Sequence, residues 1–305
     1  MELLNTRMFK WKKNIATGLG KHMDFILLND KYFILQKPFN EIKTVFIHTR
    51  LRHRLIIYFI DKILPKLVNP VNVIIAGEDY TFPNNTDKRM RKVNYRIKDF
   101  KRLGLHKKVR KLFIENLDEN IRNAFPIPLG INPKECPTNI NYFLQFENID
   151  VNKPLKFTNF NRMRNGKGQW RERGKVMKLC HTKNWKKYFV NTGNINNHKS
   201  YLKELSNYSF TLCVHGGGLD VNPKLWESIL LGVIPIIKEN KPYTNIFRKL
   251  DFPVVIIQKW NKNTINEEKL KKWHKKYYNY FLDNTKRKNM LEALKLDFWI
   301  NYVMN

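Results

Sequence analysis

VHGGGLDVNPKLWESILLGVIPII, residues 214–237, is the stretch on which the fold turns. Three consecutive glycines, Gly216, Gly217 and Gly218, lie between the apolar run SFTLCV (209–214) and a helical segment, and a second apolar run, VIPIIK, follows. Glycines free the backbone for positive φ and let other groups come close to it. Asn222 is a favoured helix N-cap and Pro223 suits the first helical position, so the helix is expected to begin at Pro223. The glycines therefore fall after a strand and before a helix, where ligands bind in open α/β sheets. Amides and the helix dipole at such a corner favour an anion such as a diphosphate. The spacing is not G-x-G-x-x-G, and Lys224 is not in a G-K-[ST] context, so neither a dinucleotide fingerprint nor a P-loop is present.

Outward from this loop, the same rhythm recurs. TVFIH (44–48) and VNVIIAG (71–77) read as buried strands around an amphipathic helix carrying Leu51, Leu55, Ile56, Phe59, Ile63 and Leu67. Strand, helix, strand without polar alternation marks a parallel sheet covered on both faces. FILLNDKYFILQ (25–36) reads as a hairpin turning at Asn29-Asp30. VRKLFIENLD supplies a further strand, and AFPIPLGINP (124–133), with its three prolines, reads as an extended edge segment. In the second half, strands are expected in PLKFTNFN, KYFVNTG, SFTLCV, VIPIIK and FPVVIIQ, with helices in GKGQWRERGKVMKLC, SYLKELSNY and PKLWESILLG. The expected class is α/β, with Rossmann-like halves at 1–150 and 151–283 and a last helix within 284–305.

Composition bounds the possibilities. A chain of 305 residues that is 42% hydrophobic and 13% aromatic has material for a real core, which excludes global disorder. Against 26 Asp and Glu stand 57 Lys and Arg, a net charge of +31, so polyanions, anionic membranes or phosphorylated substrates are favoured partners. Cys136, Cys180 and Cys213 are widely spaced and odd in number, which argues against a disulfide framework or zinc knuckle. No run of about 18 apolar residues appears. The expectation is a soluble chain without an anchor, placed in the cytoplasm, or in a virus factory were the chain viral.

Lys224 and Glu227, three apart, share one face of the expected helix. Beside an anion-binding loop the ammonium suits a phosphate and the carboxylate a ribose hydroxyl; the bland alternative is a solvated i,i+3 ion pair worth a few tenths of a kcal/mol. At this point the segment SFTLCVHGGGLDVNPKLWESILLGVIPIIKEN, with FPVVIIQKW after it, resembles the donor-binding half of exostosin-like glycosyltransferases. That family pattern is a glycine loop, an Asp, a basic residue shortly after, aromatic-Glu, and a hydrophobic stretch ending G-x-I-P-I. Two-Rossmann fucosyltransferases have a related Glu-Lys helix and G-x-x-P-V turn. LFIENLD, AFPIPLGINP and KFTNFN with Arg171 or Arg173 resemble further segments, so the likeness spans roughly residues 109–260.

The resemblance implies a GT-B architecture, two Rossmann-like domains facing a cleft, with the C-terminal helix crossing back to the N-terminal domain. It implies a nucleotide-sugar donor held mainly by the second domain, with Asp220, Lys224 and Glu227 as donor-site residues. The family's usual Arg is Lys224 here, which gives up the bidentate fork. His215 is placed to hydrogen-bond the leaving diphosphate, though a lone His at a strand end is more often structural. Arg162, Arg164, Arg171 and Arg173 follow the strand ending at Asn161, and one of Arg171 and Arg173 is expected to neutralise the departing charge. A base for the acceptor hydroxyl is expected in GEDYTFP, as Glu78 or Asp79.

No D-x-D triad and no His/Cys cluster with zinc spacing is seen, so neither metal nor cofactor is expected. The expected activity is metal-independent, inverting sugar transfer to the hydroxyl of a glycan or protein acceptor, an acidic one suiting the basic chain. Residues 88–111 hold twelve Lys or Arg and one acidic residue, interleaved with Tyr95 and Phe100. That run sustains a rival reading, a non-catalytic nucleic-acid or polyanion binder or a transferase that glycosylates DNA, but no helix-turn-helix, zinc-finger or RNA-recognition signature accompanies it.

Overall fold

The computed structural model describes residues 1–6, 9–10, 15–16, 18–28, 33–48, 54–77, 79–84, 86, 101–133, 136–158, 170–191, 195, 197–216, 218–219 and 222–305. The chain forms two compact units. The first comprises Leu4–Leu129, Gly218–Asp220 and Leu296–Asn305; the second comprises Met1–Leu3, Gly130–Gly217 and Val221–Lys295.

A two-residue antiparallel ribbon, β1 (Phe9–Lys10) with β2 (Ile15–Ala16), opens the first unit. Its sheet follows as β3 (Phe25–Leu27), β4 (Phe33–Leu35), β5 (Thr44–His48), β6 (Val71–Ala76), β7 (Val109–Ile114) and β8 (Ala124–Pro126). The strand order is β4-β3-β5-β6-β7-β8. From β3 to β8 neighbours run parallel, and β4 alone returns antiparallel, with Phe25 opposite Leu35. That pairing is the expected hairpin; its turn residues 29–32 lie outside the described residues. Every residue of β5 and β6 is buried, as apolar runs without alternation require when both faces are covered. β8 carries Pro126 at the sheet edge, where a missing amide does least harm.

The apolar stripe at 54–66 is helical throughout but changes pitch. It runs from α at Arg54–Tyr58 through π at Phe59–Ile63 to a 3-10 turn at Leu64–Lys66, where Pro65 sits in the first turn. Leu55, Ile56, Phe59, Ile63 and Leu67 all face the core of this unit.

The second unit holds a five-stranded, all-parallel sheet in the order β10-β9-β11-β12-β13. Its members are β9 (Phe157–Thr158), β10 (Phe189–Val190), β11 (Phe210–Leu212), β12 (Ile234–Lys238) and β13 (Val255–Ile257). Both units are thus mixed α/β around parallel sheets, as two Rossmann-like halves would be. The helix after the glycine loop, Lys224–Leu230, starts one residue later than expected and is buried at every position. Trp226 packs edge-on to Phe247 and Phe252, with centroids 6.4 and 6.0 Å away, and its indole N–H donates to Leu294 O.

The C-terminal stretch differs from the single helix expected. It divides into Asn284–Leu294 and Leu296–Met304 at Lys295, whose backbone is extended and pairs with Leu3. Leu296–Met304 belongs to the first unit, where the Asn72 carboxamide donates to Val303 O at 2.6 Å. No described helix is long and apolar enough to cross a membrane.

Candidate functional site

The glycines at the carboxyl end of β11 are approached closely, and by protein. A methyl group at Gly216 would collide with the Arg173 guanidinium, and one at Gly218 would overlap the Asn116 carboxamide. Only glycine leaves those side chains room. Arg173 lies in the first turn of the helix Arg171–Cys180, and its Nε–H donates to His215 O at 3.1 Å and Val214 O at 3.4 Å. Within the first unit, Leu219 N donates to Asn116 Oδ1 at 2.8 Å.

Asn222 closes the loop from its far side. Its Nδ2 donates to Val214 O at 2.9 Å and its Oδ1 accepts from Lys224 N at 3.1 Å. Leu225 N donates to Asn222 O, so this residue satisfies two amides of the helix start. The N-cap position itself falls on Pro223, one residue after the expected Asn222, and has no side-chain cap bond. Main-chain amides at 219, 224 and 225 are consequently engaged with the protein itself. The corner also carries side-chain charge.

That charge is concentrated. Lys224 is 7% exposed, and burial depresses its ammonium to about 8; Cys213 and Glu227 pull upward and Arg173 pushes further down. It is still a cation at neutral pH, beside a second one. The Cys213 thiol, buried next to them, is pushed up to about 12 by desolvation despite Lys224. His215 is buried, with its carbonyl bound by Arg173. Arg171, in contrast, is exposed.

Glu227 is also 7% exposed, which rules out a solvated pair with Lys224. Tyr201 OH donates to its Oε2 at 2.7 Å, and His198 Nε2 stands 3.2 Å from its Oε1. His198 Nδ1 meets Tyr142 OH at 3.1 Å, with the two rings stacked at 5.8 Å and 8° between planes. Burial, the Glu227 charge and its hydrogen bond hold the Tyr201 hydroxyl well above its ordinary range. Cys136 completes the group: its sulfur, a His198 ring nitrogen and a Glu227 oxygen lie within 4.8 Å of one another. This network was not read from the sequence. His198 and Tyr201 sit three apart on one helix, but their carboxylate partner is 26 to 29 residues away.

Of the expected base candidates, Asp79 is half-buried just after β6. Glu78, Gly217, Asp220, Arg162, Arg164 and residues 88–100 of the basic run lie outside the described residues.

No protein-family model matches the chain, and no curated protein matches it, so the exostosin-like resemblance rests on the quoted residues alone. Among solved structures the chain is similar to an alpha1,3-fucosyltransferase at 13% identity and a TM-score of 0.35, over 88% of this chain and 79% of that one.

Proposed function

We propose that the chain is a glycosyltransferase that uses a nucleotide-sugar donor, with the donor diphosphate held by Arg173 and Lys224. The carrying observation is the convergence of these two cations on residues 213–216 behind the carboxyl end of a parallel strand. Two like charges held close in a poorly solvated corner raise each other's energy, and an incoming dianion lowers both. The same pair suits a departing nucleoside diphosphate, whose charge grows as the glycosidic bond breaks. His215 and Asp220, close in sequence around the glycines, are the further donor residues of this reading. Arg171 serves only to bring the donor in, given its exposure.

The acceptor hydroxyl, on a glycan or protein, is deprotonated by Asp79 or Glu78 after β6, and transfer inverts configuration without a metal at the diphosphate. Glu227 takes a revised part. With Tyr201 on one oxygen and His198 beside the other, it braces the helix that carries Lys224, and a ribose hydroxyl would share an oxygen already in use.

Calorimetric titration with UDP-, GDP- and CMP-sugars tests the donor site. One nucleotide class is expected to bind, and Lys224→Met is expected to weaken it ~100-fold, about 2.7 kcal/mol. Absence of binding by the wild type, or equal binding by Lys224→Met and Arg173→Ala, would defeat the proposal. Steeply salt-dependent DNA binding without sugar-nucleotide binding would point instead to a polyanion binder.

A further inference from the structure

We propose that Cys136, His198 and Glu227 form a binding site for a divalent transition-metal ion of the zinc class. The three residues come from separate elements of the second unit. Cys136 precedes the helix Ile140–Leu144, His198 opens the helix His198–Ser206, and Glu227 lies in Lys224–Leu230. Sulfur, imidazole nitrogen and carboxylate oxygen form the mixed soft and borderline donor set that zinc takes.

The spacing suits the ion. Zinc bonds to nitrogen and oxygen of about 2.0–2.1 Å at tetrahedral angles put those two donors about 3.3 Å apart; His198 Nε2 and Glu227 Oε1 are 3.2 Å apart. The Cys136 sulfur lies within 4.8 Å of a His198 ring nitrogen and a Glu227 carboxylate oxygen.

Two of the three ligands also have the outer partner that metal ligands require. Tyr142 OH faces His198 Nδ1, so an Nδ1–H can donate to the phenol oxygen while Nε2 gives its lone pair to the ion. Tyr201 OH holds the other oxygen of Glu227. The Cys136 thiol donates to Asn132 O at 3.4 Å, a bond it gives up when it binds as the thiolate. Asn197 fixes the start of the His198 helix by accepting from Ser200 N at 2.7 Å.

Charge and protons balance. Binding moves the His198 proton from Nε2 to Nδ1 and releases the Cys136 thiol proton to solvent. The thiolate and carboxylate then offset both charges of the ion, and because two positive charges enter while one proton leaves, the net charge of the site rises by one, from minus one to zero. Three protein ligands leave a fourth position for water or another small ligand.

The test uses the full chain, stripped of metal by chelator and dialysed. One equivalent of zinc is expected to be retained after desalting, and cobalt(II) is expected to give tetrahedral ligand-field bands with a thiolate-to-cobalt charge-transfer band. Cys136→Ser should abolish that band and the stoichiometric retention. Tyr142→Phe, which keeps the ring and removes the hydroxyl that faces His198 Nδ1, should weaken zinc ~10-fold. The proposal is overturned by substoichiometric zinc in the wild type, by a cobalt spectrum without the thiolate band, or by a Cys136→Ser protein that binds equally well. The cobalt spectrum is read on the wild type and does not depend on any variant folding. Sugar-nucleotide titration of the metal-stripped protein reads the donor site separately, so either result stands without the other.

Discussion

Among the described residues, the buried charges of the two units differ in sign: Asp24 and Glu115 in the first, and Lys153, Lys224, Arg287 and Lys295 beside the carboxylate of Glu227 in the second. The difference follows from which backbone groups need sealing. Asp24 accepts from Lys43 N, Thr44 N and Thr44 Oγ1, and Glu115 accepts from Gly77 N and Thr6 Oγ1, so in the first unit carboxylates close strand and loop amides. In the second unit the task is the reverse. Arg287 donates to Ile229 O and Leu230 O, and Lys153 Nζ donates to Gly232 O and Asn148 O, so two cations cover the carbonyl end of the buried helix Lys224–Leu230. Cations there agree with the helix dipole. Lys224, in the first turn, opposes it. Part of the basic surplus is thus structural, and Lys224 stands apart from it as the cation that the helix does not ask for.

The harshest way to break this contrast is Arg287→Ala. It strips donors from two carbonyls and leaves the Glu147 carboxylate without the guanidinium it pairs with. A loss of about 3–5 kcal/mol is expected in urea unfolding, the scale for removing one partner of a buried pair. Arg287→Met should be nearly as costly if carbonyl sealing is the residue's role; near-native stability would reduce the contrast to one of packing. The mirror substitution is Asp24→Ala in the first unit. Burial raises the Asp24 carboxyl, but hydrogen bonds from Lys37, Lys43 N and Thr44 hold it below its usual range. Its contribution is therefore full above the ordinary carboxylate pKa and lost as pH falls through the depressed one. Removal is expected to cost about 2–3 kcal/mol at pH 7, and the loss should shrink in strong acid.

The strands were legible because burial on both faces leaves a local mark, a short β-branched run without alternation, as at 44–48, 71–76 and 234–238. The break at Lys295 was not. Residues 284–304 hold neither Gly nor Pro, and the extended residue is fixed by pairing with Leu3, at the other end of the chain. Helices Lys241–Lys249 and Glu267–Tyr277 also escaped; in the second, five lysines of eleven residues cover the apolar stripe. At the candidate site the glycine corner could be read as a place of close approach, but not what approaches it. Asn116 and Arg173 reach the loop across 103 and 42 residues, and no spacing rule encodes that. The Cys136, His198 and Glu227 group is invisible for the same reason. Spacing reveals metal ligands only when they share an element or a hairpin.

Lys153 gives the finest test of the contrast, because its charge state can be varied without changing the sequence. It is 4% exposed, and burial, opposed by Asp150, lowers its ammonium to about 7. A neutral amine still has two N–H groups, enough for both Asn148 O and Gly232 O. Between pH 7 and the ordinary lysine range, the unfolded chain binds a proton that the folded chain does not, so this group makes stability rise with pH. Below about 7 both states are protonated and the full penalty of burying the charge applies. Over pH 7.5–9 the stability of the wild type relative to Lys153→Met should therefore climb by roughly 1 kcal/mol per pH unit, just under the limit for one whole proton. Parallel pH profiles for the two proteins would mean that Lys153 keeps its charge when folded. The carbonyl end of the helix would then be held by two full cations, and the opposition of sign between the units would be the stronger for it.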